Sequence, residues 1–170
     1  LHARPEWDTP VALGQAAAAI NAEKPDLVIA GGDLITDGFQ SSASNVESRW
    51  AVYLGMQTAV EASVHAVIGN HDLVGAIPED GSGPAADPRA VFREKLGVEN
   101  TYRSFDTNGY HFILLDSIRV IGGNLKYEGR IGQEEMEWLK TDLAAVDPQT
   151  PIVVATHLPF LTTFFQDTEG

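Results

Sequence analysis

The sequence predicts an α/β fold, in which helices alternate with short buried strands. Two segments with helical periodicity are each followed by a short apolar run, at residues 27–30 and 64–68. A third apolar run, at residues 152–155, follows another amphipathic segment. Helices and strands that alternate over short connections are typical of a largely parallel sheet. The chain of 170 residues has the usual length of one domain.

The first helix is predicted to take Thr9 as its N-cap, with Pro10 in the first turn and Pro25 beyond its end. Val11, Ala17 and Ile20 lie roughly on one face at helical spacing and are expected to face the core. The second helix carries a longer apolar stripe, made of Val46, Trp50, Tyr53, Leu54 and Val60. Each helix leads into an apolar run over a short connection, which favours a largely parallel α/β sheet.

The second half of the chain predicts a hairpin, two further helices and a final strand. Asn108-Gly109 separates two aromatic-rich runs within residues 101–117, and this dipeptide is the strongest short signal for a hairpin turn. A loop rich in Gly, Pro and acidic residues covers 75–88, and Asp87 is expected to cap a short helix after it. The last helix carries an apolar stripe, made of Met136, Leu139, Leu143 and Val146.

The composition excludes several classes of protein. Asp and Glu number 24 against 11 Lys and Arg, and the resulting net charge of −13, without a basic patch, disfavours binding to nucleic acid or to an anionic membrane. No stretch of the sequence approaches the ~20 apolar residues of a membrane span. The sequence has no cysteine, which excludes disulfides, thiolate zinc sites and thiol nucleophiles.

Polar residues follow three of the predicted strands. The first strand ends in Gly31-Gly32-Asp33, the second in Gly69-Asn70-His71-Asp72 and the last in Thr156-His157. In open α/β sheets the chemistry lies at the carboxyl ends of the strands. Carboxylate, amide and imidazole donors without sulfur suit manganese, iron or zinc. One carboxylate can bridge two such ions, which then clamp a phosphoryl group and activate water.

The imidazole of His71 need not be a metal ligand. It could instead donate a proton to a leaving-group oxygen. Asp72 or another carboxylate could orient this imidazole and hold it protonated. Asp37, in "LITDG", is interpreted first as a turn residue.

Three blocks in this order, "GGDLITDG", "GNHD" and "THLPF", resemble the metal-binding blocks of the calcineurin-like metallophosphoesterases. The segments "YRSFDTNGYHFILLDS" and "EWLKTDL" are similar to those of bacterial phosphodiesterase and phosphatase members. The resemblance covers essentially the whole chain. It implies a four-layer α-β-β-α sandwich with two mixed β-sheets. It also implies a hydrolase with a binuclear metal centre, in which a metal-bridging hydroxide attacks a phosphate mono- or diester.

The resemblance implies a role for each matching residue. Asp33 would bridge two divalent ions, with Mn, Fe or Zn expected, and Asn70 and His157 would ligate the second ion. His71 would be the general acid, and in some members of the family a carboxylate near the position of Asp37 supports this histidine. His2 is either the tail of the family's first Asp-x-His block, and then a ligand, or a residue just beyond that block.

Two departures from the family pattern set the expected extent of the domain. The first strand with its Asp-x-His block and the C-terminal Gly-His-x-His block are missing, so residues 1–170 are expected to form a partial metallophosphoesterase domain. The alternative is a metal-binding but inactive module or a truncated fragment of such an enzyme. The expected partner is a small phosphate ester, and a homo-oligomer in which a second copy completes the site stays open. Phe160, Phe164 and Phe165 could line a substrate cleft or belong to the core.

Overall fold

The computed structural model describes residues 1–159. Within them the chain forms four α-helices and seven β-strands, in the order α1 (Thr9–Glu23), β1 (Leu27–Ala30), α2 (Ala43–Ala59), β2 (Ser63–Ala66), α3 (Ala90–Leu96), β3 (Arg103–Thr107), β4 (Tyr110–Leu115), β5 (Ile118–Gly122), β6 (Lys126–Gly129), α4 (Gln133–Ala145) and β7 (Ile152–Thr156). The α/β class predicted from the sequence is confirmed. Among the described helices, none is long and apolar enough to cross a membrane.

The strands of residues 1–159 are distributed over three small sheets. Strands β1 and β2 pair in parallel, β3 and β4 pair antiparallel, β4 and β7 pair in parallel, and β5 and β6 form an antiparallel hairpin. The three-stranded sheet of β3, β4 and β7 is therefore mixed rather than largely parallel. The cause is the turn between β3 and β4, since a two-residue connection can join only antiparallel neighbours.

The turn at Asn108-Gly109 has the geometry that the sequence predicts. Both residues lie in the left-handed region, with φ of 50° and 81°, and Thr107 and Tyr110 are paired on either side of them. Two successive left-handed residues make a type I′ turn, whose twist matches that of the flanking strands. The local signal thus fixes the register of the β3–β4 hairpin.

Helix α2 supplies the largest buried side chains of the core. Val46, Trp50 and Tyr53 are fully buried, as predicted, and the Trp50 ring contacts the rings of Tyr53 and Phe92 edge-on. The prediction for α1 is wrong in two details. Val11 is 60% exposed, and Thr9 is the first helical residue rather than the cap, because the chain enters the helix through a left-handed Asp8.

Helix α4 contacts β4 and the residue that follows it through two acidic side chains, and its predicted apolar stripe is only partly buried. Glu135 is buried and accepts the backbone N–H of Asp116 at 2.8 Å. Met136 and Leu143 remain 37% and 40% exposed. By helical spacing Glu135, Asp142 and the half-buried Leu139 and Val146 share the face that is turned to β4, whereas Met136 and Leu143 lie at the edge of that face.

A second polar contact of α4 involves His111 on β4, whose ring is held between two carboxylates in an arrangement called here the His111 clasp. Its Nδ1 lies 2.7 Å from Asp106 Oδ1 on β3, and its Nε2 lies 2.8 Å from Asp142 Oδ2 on α4. Asp142 also accepts the hydroxyl of Ser104 at 2.5 Å. Burial lowers the pKa of His111, but the hydrogen bonds to Asp142 and Asp106 outweigh it, and the net pKa is raised. The clasp thus favours an imidazolium that donates from both ring nitrogens.

The clasp predicts that part of the stability is lost as the pH rises. The folded pKa of His111 lies above the unfolded value of about 6.5. The stabilisation by His111 is therefore complete below its unfolded pKa and disappears as the pH rises through its folded pKa. In urea unfolding, the free energy of unfolding of the native protein should exceed that of His111→Gln by about 1–3 kcal/mol near pH ~5.5. This difference should narrow above pH ~8.

A matched control is available on β2. Burial lowers the pKa of His65, so the gap between the native protein and His65→Gln should change with pH in the opposite sense. A gap for His111→Gln that stays constant between the two pH values would contradict the clasp.

Candidate metal centre

The N-terminal segment is tied to the loop that follows β1. The backbone N–H of His2 donates to Asp33 O at 2.7 Å, and that of Ala3 donates to Leu34 O at 2.9 Å. Ala3 is fully buried and forms a parallel bridge with Ile35. These contacts position the imidazole of His2 beside the carboxylate of Asp33.

The carboxylate of Asp33 faces different histidines with its two oxygens. Oδ2 lies 3.5 Å from His2 Nε2, and Oδ1 lies 3.3 Å from His157 Nε2. Oδ1 also accepts the backbone N–H of His71 at 3.0 Å. Burial raises the pKa of Asp33, but the hydrogen bonds from His157 and His71 outweigh it and hold the pKa below its usual value. An ionised carboxylate thus lies between two imidazoles.

His157 and Asn70 complete one side of this arrangement. His157 Nδ1 lies 2.8 Å from the carbonyl of Gly31, and His157 Nε2 lies 3.2 Å from Asn70 Oδ1. A carbonyl can only accept, so Nδ1 carries the hydrogen, and in a neutral ring Nε2 presents its lone pair to two oxygens. The pKa of His157 is raised, chiefly by its hydrogen bond to Asp33. The position between His157 Nε2, Asp33 Oδ1 and Asn70 Oδ1 therefore attracts positive charge.

The spacing of these donor atoms suits a metal ion. Bonds of about 2.0–2.2 Å from zinc to imidazole nitrogen or carboxylate oxygen place neighbouring ligands roughly 3–3.6 Å apart. The distances of 3.2 and 3.3 Å from His157 Nε2 fall within this interval, as does the 3.5 Å from His2 Nε2 to Asp33 Oδ2. The Nδ1–H bond to a backbone carbonyl is the outer contact that usually orients a ligating histidine. The spacing of the donor atoms around Asp33 thus suits a divalent cation.

His71 lies against the same centre. His2, Asp33 and His71 each offer a donor atom, and these atoms lie within 4.8 Å of one another. The backbone N–H of Asp37 donates to His71 Nδ1 at 2.9 Å, whereas the Asp37 carboxylate is 4.0 Å from this nitrogen. The His2 and His71 rings meet edge-on, with centroids 4.7 Å apart. Nδ1 is therefore occupied, and Nε2 is the nitrogen of His71 that is left for chemistry.

Asp72 has a different position from the one expected. It is fully buried, and both its oxygens accept backbone N–H groups rather than the His71 imidazole. Oδ1 accepts from Leu34 at 2.8 Å and Ile35 at 3.1 Å, and Oδ2 accepts from Gly69 at 2.8 Å. Burial raises its pKa to about 7, against the effect of these hydrogen bonds. Asp72 connects the loop after β1 to the loop after β2.

Two glycines allow the strand-end loops to approach each other. A Cβ on Gly69 would collide with the backbone N and the carboxylate of Asp33. Gly32 has φ of +93°, and a Cβ there would lie 2.6 Å from His157 Nδ1. From the sequence alone these glycines mark only the ends of two strands. Their position directly before Asp33 and Asn70 is the signal that could have marked them as part of the site.

The structure thus brings together five predicted residues, His2, Asp33, Asn70, His71 and His157. Asp37 contacts His71 through its backbone N–H, and the carboxylate of Asp72 accepts backbone N–H groups of the strand-end loops. Asp116, which follows β4, accepts hydrogen bonds from Arg89, Thr101 and its own loop at Ile118. Phe160, Phe164 and Phe165 lie outside the described residues.

This chain belongs to the calcineurin-like phosphoesterase family, whose family model matches residues 1–169. The resemblance found in the sequence is thereby confirmed. A similar solved structure is the crystal structure of a dimetal phosphatase from Danio rerio, with a TM-score of 0.63 and 15% sequence identity. The match covers 91% of this chain and 61% of that chain, so this chain spans less than two thirds of that protein. The search of curated proteins gave no match.

Proposed function

We propose that the protein hydrolyses phosphate mono- or diesters at a centre of two divalent metal ions. His2 and Asp33 would hold one ion, and Asp33, Asn70 and His157 would hold the other. The observation that carries the proposal is the carboxylate of Asp33, whose two oxygens face nitrogens of two different histidines at 3.5 and 3.3 Å. Membership of the calcineurin-like phosphoesterase family supports the same chemistry.

The donor set favours manganese, iron or zinc, because it combines carboxylate and amide oxygens with imidazole nitrogens and contains no sulfur. Ions held by these residues would supply Lewis-acid chemistry, polarising the phosphoryl group and lowering the pKa of a water molecule that would serve as the nucleophile. The protein contributes a fixed position for each ligand. His157 is oriented by the Gly31 carbonyl and His2 by the backbone pairing with the loop of Asp33.

His71 is the proposed general acid. Its Nδ1 accepts the backbone N–H of Asp37, which fixes the ring and leaves Nε2 to deliver a proton to the departing oxygen. The backbone N–H of His71 donates to Asp33 Oδ1, and this bond fixes the position of the proposed general acid relative to the proposed bridging carboxylate. Asn70 would use its amide oxygen for the metal and its NH₂ for a phosphate oxygen.

The direct test is hydrolysis of bis-p-nitrophenyl phosphate and p-nitrophenyl phosphate by this chain, with added manganese and with EDTA. We expect turnover that needs manganese, that EDTA removes and that manganese restores. Metal content after dialysis is measured in parallel by mass spectrometry. Bound metal without turnover would favour the alternative, a metal-binding module without catalysis. Failure to retain any divalent ion would refute the centre itself.

The same assay separates the role of His71. A general acid matters most for poor leaving groups, so His71→Ala should slow an alkyl ester about 10²–10⁴-fold and a p-nitrophenyl ester much less. Metal content should stay at the native level, which distinguishes a proton donor from a ligand. Equal slowing of both esters together with loss of metal would make His71 a ligand instead.

A further inference from the structure

A large cleft lies apart from the proposed metal centre, between helices α3 and α4 and strand β5. This α3–α4 cleft has a volume of about 990 Å³, and its walls are formed by Arg89, Arg93 and residues within 100–102, 116–120 and 130–140. The ligands proposed for the metal centre, all in the described part of the chain, do not line it. Sites for small ligands commonly have volumes of about 300–1,000 Å³, so the cleft is large enough to hold one.

Positive charge is concentrated around this cleft. Of the 11 Lys and Arg residues of the chain, five line it, namely Arg89, Arg93, Arg119, Arg130 and Lys140. The acidic residues that line it are Asp116, Glu134, Glu135 and Glu137. Burial raises the pKa of Glu135 to about 7, so this group carries less than a full negative charge at neutral pH. Basic residues therefore outnumber acidic ones at the cleft, whereas the whole chain has 24 acidic residues against 11 basic ones.

Arg89, just before α3, is the cation of the cleft with a fixed position. Its Nε donates to Asp116 Oδ2 at 2.5 Å, and its Nη2 donates to Asp116 Oδ1 at 3.2 Å and to the carbonyl of Ile118 at 2.5 Å. A guanidinium has five N–H donors, so these bonds leave the two of Nη1 without a partner among the described residues. The side chain is 30% exposed, and a ligand in the cleft can therefore reach it.

Arg130 and Lys140 are the lining cations that have no ion-pair partner within residues 1–159, since the other three each contact a carboxylate. Both side chains are exposed. The backbone of Arg130 is fixed by its N–H bond to Ser117 O at 2.9 Å, and Lys140 lies within α4. An anion in the cleft would gain contacts with these two cations without breaking an existing ion pair.

We propose that the α3–α4 cleft binds a small polyanion, a molecule that carries two or more phosphate or carboxylate groups. A guanidinium fits either group with two parallel hydrogen bonds. The cations reach the cleft from α3, β5, α4 and the segment after β6, so one ligand with several negative groups can contact more than one of them. Asn100 and Gln133 add neutral amide groups to the walls. The proposal does not depend on the phosphoesterase function.

The test is calorimetric titration of the metal-free protein with pyrophosphate and, separately, with citrate. Dialysis removes divalent ions beforehand, so neither probe can be held by ions at the proposed metal centre. We expect one saturable site with a Kd below ~1 mM for at least one probe. The tighter of the two probes distinguishes a phosphate ligand from a carboxylate ligand. Failure of both probes to saturate the protein by ~10 mM would overturn the proposal.

Variants of the two unpaired cations locate the site. Arg130→Gln and Lys140→Gln should each raise the Kd about three- to tenfold, a loss between that of an exposed ion pair and that of a charged hydrogen bond. Lys24→Gln is the matched control, because it removes the same charge from an exposed position at the end of α1. Its Kd should equal that of the native protein. Equal increases for Lys24→Gln and Lys140→Gln would reflect net charge alone and refute the cleft as the site.

A variant of opposite charge gives a result of opposite sign. Glu134→Gln removes an exposed acidic group from the cleft, so the Kd should fall about two- to fivefold. Glu23→Gln, at an exposed position in the last turn of α1, should leave the Kd at the native value. All these substitutions change exposed side chains, and circular dichroism would verify that each variant is folded. A higher Kd for Glu134→Gln would contradict an anionic ligand.

Discussion

Replacing Asp33 with asparagine is expected to lower both metal retention and ester hydrolysis by more than about 100-fold. Loss of an outer contact to a metal ligand already costs 10–100-fold, and here the proposed bridging ligand itself is lost. Asparagine has nearly the same volume, but it has no negative charge and one oxygen instead of two. It can therefore face only one of the two histidines as an acceptor, and the other meets an NH₂ group.

Metal content by mass spectrometry and turnover of bis-p-nitrophenyl phosphate would measure the effect. Asp26→Asn is the matched control, because it removes the same charge from an exposed position before β1. Asp33→Asn with native metal content would contradict the assignment of this carboxylate. Native metal content with lost activity would instead make Asp33 a catalytic group that does not bind the ions.

Replacing Asp72 with alanine is expected to destabilise the fold by about 3–5 kcal/mol, the range for breaking a buried charged contact. Three backbone N–H groups, of Leu34, Ile35 and Gly69, would lose their acceptor in a site that water does not reach. Asp72→Asn should have a smaller effect, because it keeps one acceptor oxygen.

Urea unfolding gives the measurement, with Asp147→Ala as the control. The exposed carboxylate of Asp147 accepts one backbone N–H, from Gln149 at 2.8 Å, in a surface turn. Its loss should change the free energy of unfolding by less than about 1 kcal/mol. An equally small change for Asp72→Ala would show that the two strand-end loops do not depend on this side chain.

Local patterns in the sequence predicted much of the fold and most of the site. The apolar runs before Asp33, Asn70 and His157 predicted strands, and the parallel pairing of β1 with β2 brings Asp33 and Asn70 to one edge. Strand β7, which leads into His157, pairs with β4 in a different sheet, so the approach of His157 to that edge is not encoded locally. The Asn108-Gly109 dipeptide predicted its hairpin because the turn depends on two residues alone. These features are encoded over a few neighbouring positions.

Other features depend on residues far apart in the chain. The carboxylate of Asp72 bonds to amides 38 and 37 positions earlier, and no local pattern encodes this pairing. The spacing of α4 predicted an amphipathic helix, but not that two acidic side chains on its packed face would hold it. Glu135 and Asp142 make these contacts, and their partners Asp116 and His111 lie on or just after another strand.

The residues of the proposed centre come from positions 2, 33, 70 and 157, and this separation has a kinetic consequence. The centre cannot assemble from any one stretch of chain, and closing loops this long is slow. Ligand geometry should therefore be among the last features to form during refolding, after the β3–β4 hairpin. Because a divalent ion that binds the finished geometry stabilises the native state alone, it would slow unfolding without accelerating the steps that precede its site.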